Sequence, residues 1–116
     1  MLHQLFLQLP GSAQEYVAWV GPCICAAHYE VGEDVWGQFV CDYPEQLRAH
    51  SDPQKRFLDL RGIAAAQLNQ IGVSTIHHGN WCTYRDRRLY SHRAYGHGVQ
   101  AAGPGRLASL IYIKPD

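Results

Sequence analysis

The sequence predicts an α/β fold, a partial sandwich with a mixed sheet flanked by helices that is incomplete on its own. Three observations carry this expectation. Short apolar runs read as strands at Tyr16 to Val20, Val73 to His77 and Leu107 to Ile113. Apolar residues recur at helical spacing in residues 1–9 and 57–71. Strand, helix and strand follow one another between residues 16 and 77, the order of a βαβ unit.

Leu2, Leu5, Phe6 and Leu9 form one apolar stripe on a first helix, which Pro10-Gly11-Ser12 ends. This helix begins at the first residue, without the Ser, Thr, Asp or Asn that usually introduces one. Tyr16 to Val20 is apolar on both faces, as in a strand covered on both sides, and Gly21-Pro22 closes it. Gly32-Glu33-Asp34 opens a second helix. Its two carboxylates suit the positive end of the helix dipole, and Val35, Trp36, Phe39 and Val40 make its apolar side. Residues 42–54 carry two prolines and many polar groups and are expected to loop. In the third helix, Phe57 to Ile71, one face holds Leu60, Ile63, Ala64, Leu68 and Ile71, and Gly72 is a natural stop. Residues 79–106 read as mostly loop, with glycine punctuation from Gly96 to Gly105, before the last strand. Three or four strands and three helices fit a single domain of 116 residues. A chain this short buries only about two-thirds of its surface. The sheet is therefore expected to continue in another chain or in more of a larger domain.

Composition excludes several classes. Hydrophobic residues make up 47 % and charged residues 17 %, which is globular rather than disordered. No apolar run approaches the roughly 20 residues of a membrane helix. The N-terminus lacks the basic region and apolar core of a secretory signal. Ten basic and ten acidic residues cancel, which argues against binding to nucleic acid by bulk charge. The balance hides an asymmetry. Residues 1–60 hold eight acids and three bases, whereas residues 61–116 hold two acids and seven bases, six of them arginine. The halves can neutralise each other across the fold, or the arginines can form an anion site, since their fork matches phosphate or carboxylate. The cysteines Cys23, Cys25, Cys41 and Cys82 show no C-x-x-C and no second pair to complete a zinc ribbon. They read as reduced thiols in a cytoplasmic protein.

Several runs could carry chemistry. His77-His78-Gly79-Asn80-Trp81-Cys82 gathers metal-ligand and nucleophile types. Adjacent histidines on a strand point to opposite faces, so they do not readily share one ion. Side chains bonding loop backbone are the plainer reading. Ser91-His92-Arg93 could form a polar strip, although serine and histidine one residue apart do not make a catalytic pair. Arg93 and Arg106 are the better anion ligands, while Arg85, Arg87 and Arg88 flank Asp86 as a solvated turn would. His28, with Tyr29-Glu30, follows a strand end, where open α/β sheets place ligands. Cys23 and Cys25 read as packed small apolar groups. A metal-dependent nuclease built on His77, His78 and Asn80 would need a carboxylate set that the sequence does not show.

Three ordered motifs carry a family resemblance. They are Ala18-Trp19-Val20-Gly21-Pro22-Cys23-Ile24 followed by Tyr29-Glu30-Val31-Gly32; Gly79-Asn80-Trp81-Cys82-Thr83-Tyr84 followed by Leu89-Tyr90-Ser91-His92-Arg93; and Gly105-Arg106-Leu107-Ala108-Ser109-Leu110-Ile111. From about residue 5 to 113 the chain resembles the C-terminal half of the YfiH-type laccase-domain proteins. That family comprises multicopper polyphenol oxidoreductases, also described as zinc-dependent purine nucleoside phosphorylases with adenosine deaminase and methylthioadenosine phosphorylase activities. The resemblance implies a YfiH-like α/β sandwich, with residues 1–116 as a single C-terminal half-domain. It implies a zinc or copper site in the intact family member, held by a His/Cys/His set in Asp-Cys-x-Pro-like and His-Ala-Gly-Trp-Arg-Gly-like segments. Neither segment occurs in these 116 residues, so no metal is expected on family ligands here.

The family positions that carry over are the Gly21-Pro22 turn, the Tyr29-Glu30-Val31-Gly32 segment, Cys82-Thr83, Ser91, Arg93 and Arg106. Among these, Arg93, Arg106, Ser91, Tyr29 and Glu30 are the expected substrate or phosphate ligands. The chain departs from the pattern at His78-Gly79, commonly Gly-Gly. It departs again at Arg93-Ala94-Tyr95, commonly Arg-Arg-Asp, and in a lengthened loop from Gly96 to Pro104. Two functions are expected to compete. One is the C-terminal portion of a phosphorylase acting on a purine nucleoside and phosphate, inactive as an isolated chain. The other is a non-catalytic remnant that pairs with a partner chain or with itself.

Overall fold

Asp59 opens the longest helix of the computed structural model, which describes residues 2–100, 105–111 and 113–115. The Asp59 carboxylate accepts the Gly62 N–H at 3.0 Å, satisfying one of the free donors of a first helical turn. The helix, α3 (Leu60–Ile71), ends at Gly72, whose φ of +111° is left-handed backbone that favours glycine. The other helices are short: α1 (Leu2–Phe6), α2 (Glu33–Trp36) and α4 (His92–Gly96).

The strands are β1 (Val17–Val20), β2 (Glu30–Gly32), β3 (Leu47–Ala49), β4 (Lys55–Leu58) and β5 (Thr75–His78). They form two sheets. β1 pairs with β5 in parallel, from Val17 opposite Thr75 to Val20 opposite His78. β4 lies between β2 and β3, antiparallel to both. The result is a mixed α/β fold. Helix α3 links β4 to β5 and rests on β1, with α1 against it.

The core sits under the antiparallel sheet. Val31, Leu58 and Ile63 are buried together, and Val35, Trp36, Phe39, Tyr43, Leu47 and Leu60 close around them. Val73, at the entry to β5, is also fully buried.

Several expectations are corrected. The first helix stops at Phe6, and residues 7–9 continue as hydrogen-bonded turns. The second ends its regular part at Trp36. The third begins at Leu60 rather than Phe57, because Lys55–Leu58 is drawn into the antiparallel sheet and Asp59 caps the helix behind it. The expected loop over residues 42–54 contains β3, and that over 79–106 contains α4. β1 is covered on one face only: α3 rests on the strand, while Val17 and Trp19, on the opposite face, stay half or more exposed. The expected strand from Leu107 to Ile113 forms no ladder among the described residues, and Leu110 and Ile111 are nearly fully exposed. An extended apolar run becomes a strand only where an edge receives it. The part of the long loop at residues 101–104 lies outside the described residues. No helix among the described residues is long and apolar enough to cross a membrane.

Candidate functional site

The parallel pair β1–β5 sets the site. Past its ends, pairing resumes at a single bridge between Cys23 and Cys82, where the Thr83 N–H donates to the Cys23 carbonyl at 3.1 Å. Val20 pairs with His78 and Cys23 with Cys82, so the β5 side carries one extra residue, the signature of a bulge. Gly79 makes room for it, since a Cβ there would overlap the folded-back Trp81 ring. Trp81 meets Trp19 edge-on, with ring centroids 6.3 Å apart, and its carbonyl accepts Arg61 Nη2 at 2.7 Å. The chain thus brings Cys25 and Cys82 together beyond the carboxyl ends of two parallel strands, where α/β sheets place ligands.

Cys25 precedes a single helical turn, Ala26–His28, closed by a 3.1 Å bond from the His28 N–H to the Cys25 carbonyl. The turn places Cys25 Sγ 3.0 Å from His28 Nδ1. Cys82 Sγ lies 3.7 Å from the same nitrogen, and the three atoms fall within 4.8 Å of one another. Cys82 is buried, and its sulfur accepts the Cys25 N–H at 3.3 Å. Burial acts to raise the Cys82 thiol, but hydrogen bonds from Cys25 and from the Arg85 and Tyr84 backbone outweigh it and hold the thiol below its ordinary value. Burial, followed by the neighbouring Cys82 sulfur, pushes the Cys25 thiol up. His28 stacks on Tyr84 at 4.7 Å and 14°, and the Tyr84 hydroxyl lies 3.0 Å from His97 Nδ1.

A cleft of about 430 Å³ opens beside this cluster, lined by Cys25, Cys82, Arg61, Asn80, Trp81 and the Arg85–Arg88 turn. Arg88 is held by Asp86 through bonds of 3.0 and 2.7 Å, and this pairing sets the Asp86 carboxyl at about 2. Arg61 Nε is buried with no hydrogen-bond partner among the described residues. A buried donor left unpaired costs about 1–3 kcal/mol.

The sequence-predicted residues divide. Arg93 Nη1 donates to the Glu30 carbonyl at 2.7 Å, and its guanidinium lies 4.9 Å from the Tyr29 ring centroid, so these three meet. Ser91 caps α4, accepting the Ala94 N–H at 3.2 Å. Arg106 is exposed, and its described bond is to the adjacent Gly105 carbonyl at 3.2 Å. His77 and His78 are exposed on β5 and do not converge; His92 starts α4, also exposed. The Cys25–His28–Cys82 cluster was not foreseen. Its legible signal is Cys25-Ala26-Ala27-His28, a thiol and an imidazole one helical turn apart.

Glu30 carries a second ionisable contact. His50 Nε2 lies 2.8 Å from one carboxylate oxygen and Lys55 Nζ 3.8 Å from the other. The His50 hydrogen bond holds the Glu30 carboxyl below its ordinary value. A depressed acid stabilises the fold above its unfolded value, and the contribution fades as pH falls through its folded value. At this half-exposed site it is worth less than about 1 kcal/mol. His50→Ala is expected to return the Glu30 carboxyl toward ordinary titration in an NMR pH series. An unchanged Glu30 titration would contradict the pairing.

The comparisons with known proteins agree on one family. The family model described as multi-copper polyphenol oxidoreductase laccase matches residues 2–114. A purine nucleoside phosphorylase of Pseudomonas aeruginosa is 32 % identical over 112 residues, covering 93 % of this chain and 43 % of the relative. The purine nucleoside phosphorylase YfiH of Shigella flexneri is 28 % identical over 102 residues, covering 86 % of this chain and 40 % of the relative. A crystal structure of a Neisseria meningitidis protein superposes with a TM-score of 0.74 at 29 % identity, covering 82 % of this chain and 40 % of that one. The chain spans about two-fifths of the length of these relatives. With the family model covering nearly every residue and the fold matching as well, the chain belongs to the multicopper polyphenol oxidoreductase laccase family.

Proposed function

We propose that the chain supplies the C-terminal portion of a purine nucleoside phosphorylase that cleaves adenosine or inosine with phosphate and also deaminates adenosine. The observation that carries this reading is the 32 % identity to a purine nucleoside phosphorylase along 93 % of the chain. A phosphate oxygen attacks ribose C1′ as the bond to the purine nitrogen breaks. The products are ribose 1-phosphate and the base, which takes up a proton. Arginines aimed at the phosphate stabilise its charge in a site that excludes water. Arg61 and Arg85 line the cleft at the strand ends, and Arg93 sits with Tyr29 and Glu30. Arg93, Arg106, Ser91, Tyr29 and Glu30 are the substrate and phosphate ligands proposed with this reading, and Arg93, Tyr29 and Glu30 are the three that lie together. Zinc or copper in the intact family member supplies Lewis-acid polarisation. The thiols stay reduced, as in a cytoplasmic enzyme.

A second reading, non-catalytic assembly with a partner chain or a second copy, is favoured by one observation. Leu110, Ile111 and Ile113 are 88–96 % exposed in a single run. The phosphorylase reading needs the rest of the family fold, so one experiment separates the two. The chain is co-expressed with the preceding portion of its Pseudomonas aeruginosa relative and assayed for hypoxanthine released from inosine. The expected outcome is no turnover by the chain alone and phosphate-dependent turnover by the assembly. Assembly without turnover favours the second reading.

A further inference from the structure

We propose that Cys25, His28 and Cys82 form a metal site of this chain's own, for one thiolate-seeking d10 cation, zinc or cuprous copper. It uses none of the ligand segments that the family resemblance implies, and it stands independently of the phosphorylase reading. The donor set comes first. Two sulfurs and an imidazole are soft and borderline ligands, which select zinc or copper(I) over magnesium or calcium. Geometry comes next. Tetrahedral zinc, with bonds of about 2.3 Å to sulfur and about 2.0–2.1 Å to nitrogen, sets sulfur and nitrogen about 3.6 Å apart. The observed separations are 3.0 and 3.7 Å, and all three donor atoms lie within 4.8 Å. A tetrahedral site asks the Cys25 sulfur and the His28 nitrogen, 3.0 Å apart, to separate by about 0.6 Å.

The surroundings hold the donors in place. The parallel bridge at Cys23 and Cys82 fixes the backbone on both sides. The closed turn from Cys25 to His28 fixes the i, i+3 pair. Tyr84, stacked on His28, holds the imidazole plane, and orienting contacts of this kind are half of a working metal site. Three protein ligands leave a fourth position for water or a substrate atom, as in catalytic zinc sites. Two of the ligands, Cys25 and Cys82, line the arginine cleft, so an anion there would lie close to the cation.

The test uses the full 116-residue chain, reduced and stripped by chelator. Zinc is added against a chromophoric competitor, copper(I) against a cuprous chelator, and cobalt(II) as a spectroscopic stand-in. One equivalent is expected to bind, with a thiolate-to-cobalt charge-transfer band and the intense visible bands of tetrahedral cobalt. The cation that the chain retains against its competitor is the one assigned to the site. Losing a hydrogen-bond partner of a ligand costs roughly 10–100-fold in affinity, and losing a ligand costs more. Cys25→Ser, His28→Ala and Cys82→Ser are each expected to weaken binding more than about 100-fold. Cys41→Ser, an exposed thiol outside the cluster, binds like the parent. Cys82 is buried, so its variant is first checked by circular dichroism; if it does not fold, Cys25→Ser and His28→Ala decide. The proposal is overturned if the reduced chain takes up no stoichiometric zinc or copper(I), or if those two variants bind as tightly as the parent.

Discussion

Leu58→Ala is expected to destabilise the fold by about 2–5 kcal/mol, the range for emptying a fully buried leucine site. Leu58 is 0 % exposed. It lies in the central strand of the antiparallel sheet, opposite Leu47, and packs with Val31 and Ile63 under the helices. Its own N–H donates to the Tyr29 carbonyl at 3.0 Å, which pins the backbone and limits collapse around the cavity. Against a total stability of about 5–15 kcal/mol for a typical domain, a loss of this size is large. Urea unfolding of the two proteins measures it. Leu110→Ala is the contrast: at 89 % exposure it should change stability by no more than about 0.5 kcal/mol. Equal effects at the two positions would mean that the core lies elsewhere.

Arg61→Gln is expected to lower phosphate-dependent turnover of the assembled enzyme by roughly 10²–10³-fold, the cost of removing one donor that stabilises developing charge. Arg61 joins α3 to the bulge after β5 through the Trp81 carbonyl, and its Nε is buried without a partner among the described residues. Arg61 lines the cleft beside Cys82, where the guanidinium fork suits an anion. Saturating phosphate should not restore kcat. Arg61→Lys should recover only part of the loss, because an ammonium keeps the charge but not the fork. A variant with unchanged kcat and unchanged dependence on phosphate would remove Arg61 from the site.

Much of the fold was legible. Helix α3 announced itself through Leu60, Ile63, Leu68 and Ile71 on one face and Gly72 at its end. β1 and β5 were legible as short apolar runs, and the strand–helix–strand order foretold their parallel pairing. The antiparallel sheet was not. Its strands are three or four residues long, and the β3 segment Leu47-Arg48-Ala49 sits in a polar stretch between Pro44 and Pro53. Alternation over so few residues carries little signal, and the pairing partners decide. The run from Leu107 to Ile113 forms no ladder among the described residues, since an apolar run says nothing about whether an edge is there to receive it.

The candidate site was legible only in part. Tyr29, Glu30 and Arg93 meet, although Tyr29 and Arg93 are 64 residues apart. Cys25 and His28 carry a local i, i+3 signal. Cys82 joins them from 54 residues beyond His28, and does so only because the parallel ladder continues past the strand ends with one extra residue. Spacing along the chain does not report that convergence.

The most direct test of the phosphorylase reading is the fate of the ribose. The assembly with the preceding family portion is incubated with inosine and phosphate, and the products are followed by phosphorus NMR. Ribose 1-phosphate appearing in step with hypoxanthine, and neither without phosphate, is the expected result. Hypoxanthine formed at the same rate without phosphate, with free ribose as its companion, would contradict it.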